Sequence, residues 1–353
     1  MTTLNDILRA RIAAEGPMTL AEYMAICLLH PVHGYYTTRD PFGRAGDFTT
    51  APEISQMFGE LLGLSLAQGW LDQGAPERIV LAELGPGRGT LMDDALRAMR
   101  GVPGLIDAVE LHLVEASPVL RAEQESRLGT FAPRWHNGVD TLPEAPLFLI
   151  ANEFFDALPI RQFIRDGDGW RERVVGLADG ALAFGLTDRA AQGALEHRLA
   201  DTADGDLVET CAAAQAITAD IGRRIAEHGG AALIVDYGSW GSLGDTFQAL
   251  RAHQKADPLI GPGYADLTAH VDFAALVRDA PCARSGPVPQ GVFLERLGIT
   301  ARAQSLARGL GGAALDSHVA AHRRLTHPDE MGSLFKVIGL YPEHAAPPPG
   351  LIE

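Results

Sequence analysis

From Ile54 to Leu71 apolar residues recur with a helical period, Met57, Phe58, Leu61, Leu62, Leu64 and Leu66 forming one broad stripe. The period then changes. Ile79-Val80-Leu81-Ala82-Glu83-Leu84 is an almost unbroken apolar run, as expected of a strand buried on both faces. It stops at glycines 85, 87 and 89, and a helix-like pattern spans 90–100. The alternation repeats with a strand over 110–115 and a helix over 117–127 opened by Ser117-Pro118. A short strand near Arg134–His136 follows, then a strand over 147–151 that ends in Asn152-Glu153-Phe154-Phe155-Asp156. Strands alternating with helices predict an α/β fold with a mainly parallel sheet covered on both sides. Ligands in such sheets lie beyond the carboxyl ends of the strands, where positions 83–89, 115 and 152–156 all fall.

Other stretches depart from this rhythm. Leu4, Ile7, Leu8 and Ile12 predict an amphipathic helix, and Thr19-Leu20-Ala21-Glu22 has the form of a capping box. Between His30 and Glu53 glycine, proline and aromatic residues break the helical pattern for longer than a simple connector needs. Residues 158–187 read as antiparallel hairpins punctuated by Asp-Gly turns. A helix is expected over 206–228, a strand over 231–238, and a loop-rich excursion over 238–270. After these come a helix over 273–279, a strand near 291–294, helices within 300–326 and a last strand over 334–340; the Pro-rich tail 345–350 reads as a disordered end. The organisation expected is a helical N-terminal segment, 1–75, before a domain over 76–353 with insertions near 158–205 and 238–290.

Composition narrows the function. The 353 residues are 46% hydrophobic, and the formal net charge is −16, which disfavours a grip on the phosphate backbone of a nucleic acid. Three distant cysteines indicate neither a disulfide framework nor a zinc ribbon. No stretch approaches the length of a membrane span. The N-terminus has no apolar signal core, so a cytoplasmic protein is expected. His30-x-x-His33 and His318-x-x-x-His322 have helical metal spacing without an adjacent carboxylate in a ligand pattern, and no metal is expected there.

The glycine turn carries the most specific chemistry. A dinucleotide fingerprint would need its third glycine at position 90, where Thr90 stands, and a P-loop would need a lysine that is missing. An acidic residue before the glycines (Glu83) and another ending the next strand (Glu115) fit S-adenosylmethionine better. Glu115 is placed to accept from two ribose hydroxyls, Glu83 to face a cationic amino-acid group, and Gly85, Gly87 and Gly89 to leave bare backbone beside the ligand. A NAD(P) dehydrogenase is the weaker alternative.

Several blocks together resemble the MidA family of class I S-adenosylmethionine-dependent methyltransferases: Gly34-Tyr35-Tyr36, Gly46-Asp47-Phe48-Thr49-Thr50-Ala51-Pro52-Glu53, Glu83 to Met92, Asn152 to Pro159, Asp236-Tyr237-Gly238 and Met331 to Val337. The resemblance implies a Rossmann-like sheet of seven strands and S-adenosylmethionine as cofactor. It also implies Asp47, Thr50 and Glu53 on a loop folding over that cofactor. Because the family includes a mitochondrial factor that methylates an arginine of a complex I subunit, it implies a protein-arginine substrate as well. An arginine acceptor would suit Glu153 and Asp156, since carboxylates can pair bidentately with a guanidinium. Asn152 stands where amide and adenine methyltransferases begin an Asn-Pro-Pro-Tyr motif, and the Glu-Phe-Phe that follows makes the pocket anionic. Capping of a turn by these acidic residues is the structural alternative, and a non-catalytic assembly factor is the functional one. A homodimer stays open.

Overall fold

The computed structural model describes residues 2–38 and 50–352. Its centre is a mixed sheet of nine strands, and seven of them form one continuous hydrogen-bonded path. These are β1 (Ile79–Leu84), β2 (Val109–Val114), β3 (Arg134–His136), β4 (Leu147–Asn152), β5 (Gly230–Ser239), β6 (Ala283–Arg284) and β7 (Phe335–Tyr341). The order is β6-β7-β5-β4-β1-β2-β3. The stretch from β5 through β3 is parallel, whereas β7 runs antiparallel to both β5 and β6. Where seven strands were expected, two-residue strands at Val271–Asp272 and Val288–Pro289 also pair at the side of β5 and β7.

The apolar runs work because each strand feeds two cores. Ile79 and Leu81, Phe148 and Ile150, and Leu233 and Val235 face one side, against the helix Gln56–Asp72. Val80 and Ala82, Leu147 and Leu149, and Ala232 and Ile234 face the other, where Ile221 and Ile225 of the helix Ala212–His228 join them. Alternating side-chain direction turns one continuous hydrophobic sequence into two packed layers.

The first helices sit apart from this sheet. Leu4–Glu15 and Leu20–Leu29 both open with a complete capping box, on Thr3 and Thr19. Their apolar faces, with Tyr23 and Met24, pack into a third core beside the hairpins. Met18 and Thr19 extend the hairpin sheet by pairing with Val175 and Val174, so the start of the chain and the insertion form one wall.

Three expectations need correction. Leu207–Thr210 is a strand paired with Arg161–Ile164, and the helix begins only at Ala212; Leu207 and Val208 are buried against the hairpin, which a helical start would prevent. Gln290–Arg296 is a helix rather than a strand. Its buried Gln290, Gly291, Phe293 and Leu294 follow helical spacing, a pattern that five residues do not distinguish from a short strand. The tail is not a disordered end. Ser65 Oγ donates to Pro349 O at 2.8 Å, and Leu351 is buried in the main core. Among the described residues no helix is long and apolar enough to cross a membrane.

Candidate functional site

Beyond the carboxyl ends of β1, β2 and β4 lies a cavity of about 510 Å³. Its floor is the turn after β1. Gly85, Gly87 and Gly89 have φ of 61°, 54° and 77°, left-handed values that cost other residues steric strain. The turn is pinned from behind: Gln124 Nε2 donates to Gly87 O at 2.7 Å, and Trp135 Nε1 donates to Gln124 Oε1 at 2.8 Å. Gly85 and Gly87 line the cavity, while Gly89 opens the helix Thr90–Met99 and is not on the wall.

Glu83 and Glu115 stand on either side of this turn, and both line the cavity. Glu83 is 3% exposed, and its Oε2 has no partner. Burial, with Glu115 nearby, pushes its carboxyl up to about 8. Such a group is costly to leave uncompensated and suits a cationic ligand. Glu115 accepts from Ser117 N at 2.8 Å and from Gln124 Nε2 at 3.3 Å, which fixes its orientation while it remains on the wall. Burial raises its pKa, and these hydrogen bonds oppose the rise. Bare backbone, a buried carboxylate with one unpartnered oxygen and a second, oriented one fit S-adenosylmethionine.

Trp135 and His136 are not on the wall. Trp135 packs against the core, and His136 Nε2 meets His112 Nδ1 at 2.7 Å. The residues just beyond them, from Asn137 to Asp140, line the cavity instead. The end of the strand at His136 was the available signal, because the turn after a strand occupies its carboxyl end.

On the opposite side, β4 delivers Asn152 and Glu153 to the cavity. Glu153 is left-handed, with φ of 51°. Its Oε1 accepts from Ala51 N and from Asn152 Nδ2, each at 3.2 Å. Burial, and next the Asp156 carboxylate, push its pKa up to about 7. Asn152 Oδ1 is buried and unpartnered. Asp156 does not reach the cavity wall. It lies behind Glu153, hydrogen-bonded to Tyr237, with its pKa raised by burial. The pair expected to clamp a ligand is thus split, one carboxylate on the wall and one behind it.

The segment after the glycine-rich stretch covers this site. Thr50, Pro52 and Glu53 line the cavity; Glu53 Oε1 accepts from Thr90 Oγ1 at 2.7 Å, and its Oε2 lies 3.6 Å from Arg88 Nη1. Asp47 lies outside the described residues. Two participants were not singled out as site residues. Arg88 is on the wall, and Asp236, within β5, holds the backbone after Glu153. Arg88 was recognisable only as the variable residue between two glycines, and Asp236 only as the acidic end of an apolar strand. The histidine pairs are engaged elsewhere: His318 Nε2 contacts Ala303 O at 3.0 Å, His322 contacts Thr300, and His30 Nδ1 accepts from the Val32 and His33 amides.

Comparison with known proteins places these features in context. Residues 61–288 match the model of a family described as S-adenosyl-L-methionine-dependent methyltransferases. A Xenopus laevis protein named protein arginine methyltransferase NDUFAF7, mitochondrial, is 40% identical over 94% of this chain and 83% of its own. Its Homo sapiens counterpart is 36% identical over 94% of this chain and 82% of its own. A crystal structure from Burkholderia thailandensis bound to S-adenosyl-homocysteine superposes with a TM-score of 0.81 at 30% identity, covering 99% of this chain and 92% of that one. The mitochondrial naming of the curated relatives overturns the cytoplasmic expectation.

Proposed function

Since the chain belongs to this family of S-adenosyl-L-methionine-dependent methyltransferases, we propose that it methylates a guanidinium nitrogen of an arginine in a protein. The relatives named as protein arginine methyltransferases support the acceptor class. Within this reading the target is a subunit of respiratory complex I, as the family resemblance implies.

The observation that carries the proposal is Glu153, a strained, largely desolvated carboxylate on the cavity wall across from the glycine turn. Bound S-adenosylmethionine supplies an electrophilic methyl group on a sulfonium. Gly85 and Gly87 present backbone to it, Glu83 faces its cationic end and Glu115 its hydroxyls. Glu153 then orients the acceptor. An ionised carboxylate pairs with two guanidinium N–H groups in one plane, and the free oxygen of Asn152 offers another acceptor beside it. A guanidinium also compensates the charge that burial opposes at Glu153, so the cation is favoured over a neutral side chain. Asp156 adds negative potential from behind without touching the acceptor. The N–C bond would form as the sulfonium's C–S bond breaks, with the thioether S-adenosyl-homocysteine as leaving group, and the extra proton on the methylated nitrogen would pass to solvent; most of the rate comes from placement.

Glu153→Gln tests this, because it keeps the size and removes the anion. S-adenosylmethionine affinity measured by calorimetry is expected to hold while single-turnover methylation falls by orders of magnitude. Full activity in this variant removes the acceptor site. Tight cofactor binding with no methylated protein found in extracts would favour a non-catalytic assembly factor.

A further inference from the structure

Glu153 is one of six described non-glycine residues with positive φ, and none of the other five lines the cavity. Such a conformation costs of order 1–3 kcal/mol and persists only where the surroundings over-determine it. Part of the restraint comes from the sheet, since Glu153 N donates to Val235 O at 2.9 Å and continues the β4–β5 ladder. The rest comes from the next residue of β5. Asp236 Oδ2 accepts from Phe155 N at 3.0 Å and from Asp156 N at 3.2 Å, while Oδ1 accepts from Tyr237 N at 2.9 Å. Successive backbone N–H groups around a left-handed residue make a concave anion seat, here filled by the protein's own carboxylate. Asp236 is 0% exposed and is not on the cavity wall.

We infer that Asp236 is a positioning residue for the acceptor site: its carboxylate clamps the turn over 153–156 and so holds Glu153 in the left-handed conformation that presents its side chain to the cavity. The inference rests on the acceptor role of Glu153. Asp236 touches neither cofactor nor acceptor, and it acts through the backbone two and three residues beyond its target. An ordinary turn cap would also satisfy those N–H groups. What distinguishes the clamp is that its loss is felt at Glu153 and hardly anywhere else in the site.

The test uses the full chain with Asp236→Asn, Glu153→Gln and the double variant. Asparagine fits the buried space but has one acceptor oxygen, so at least one of the three N–H groups is left facing an amide NH₂. Each protein is given labelled S-adenosylmethionine and an extract of cells lacking the gene. For Asp236→Asn, we expect unchanged cofactor affinity and a roughly hundredfold fall in methylation, the scale of a small misplacement. The double variant should be no slower than Glu153→Gln alone. If the two losses multiply, or if Asp236→Asn is fully active although its Phe155 and Asp156 amides exchange rapidly, while Glu153→Gln is slow, the clamp is wrong and the acceptor reading survives. Full activity in Glu153→Gln overturns the acceptor reading and the clamp with it. Hydrogen exchange of the parent protein needs neither a variant nor a substrate. The Phe155 and Asp156 amides should exchange as slowly as those of β5, and rapid exchange at both overturns the clamp even if Asp236→Asn does not fold.

Discussion

Thr90 donates its hydroxyl proton to Glu53 Oε1 at 2.7 Å, tying the short helix Ala51–Ile54 to the first turn after the glycines. The same helix gives its Ala51 amide to Glu153. One segment therefore touches both the glycine turn and Glu153 on the opposite wall. Glu53→Ala removes a charge-assisted hydrogen bond of about 1.5–3 kcal/mol. Calorimetry should show S-adenosylmethionine binding weakened by roughly tenfold or more. Unchanged affinity would mean that the segment does not help to retain the cofactor.

Gly87 has φ of 54° and lines the cavity. Gly87→Val adds a branched side chain in a conformation that β-branched residues rarely adopt. The protein is expected to fold, with a circular dichroism spectrum like the parent's, and to lose measurable cofactor binding. Retained binding would place the ligand elsewhere.

Glu83 gives a pH signature with a definite sign. Its folded pKa is raised to about 8, whereas in the unfolded chain it titrates near the ordinary value of about 4.3. Its stabilising contribution is complete below the unfolded value and is lost as pH rises through the folded one. Without cofactor, the melting temperature should thus decline from about pH 5 to about pH 8. Cofactor affinity should rise across the same window, because the ionised carboxylate faces the cation. Glu83→Gln should flatten both trends in melting and calorimetric series.

Leu351 rests on the last strand, where a Cβ added at Gly339 would come within 2.3 Å of Leu351 Cδ1. Leu351→Ala should cost about 2 kcal/mol or more if the site relaxes little. Denaturant unfolding measures this, and a change within error would show that the tail contributes nothing to the fold.

The sequence by itself determined what short-range physics controls. Period and glycine spacing located β1, the turn over 85–89 and the helix behind it, and the Thr19–Glu22 capping box formed as read. The gathering of Glu83, Gly85, Gly87 and Glu115 around one cavity was legible for the same reason, since they lie on one strand–turn–helix–strand unit. Long-range contacts were not legible. Asp236 reaches Phe155 across 81 positions and Glu53 reaches Thr90 across 37; no local pattern encodes either distance. Nor does local sequence separate Glu153 from Asp156, although the turn puts one on the wall and the other behind it. Gln290–Arg296 and the tail were misjudged because their conformation follows from what they pack on, including the close approach of Gly291 to Thr326 O. Tertiary packing decided these points, because a residue's exposure and its partners are set by the neighbours the fold brings to it.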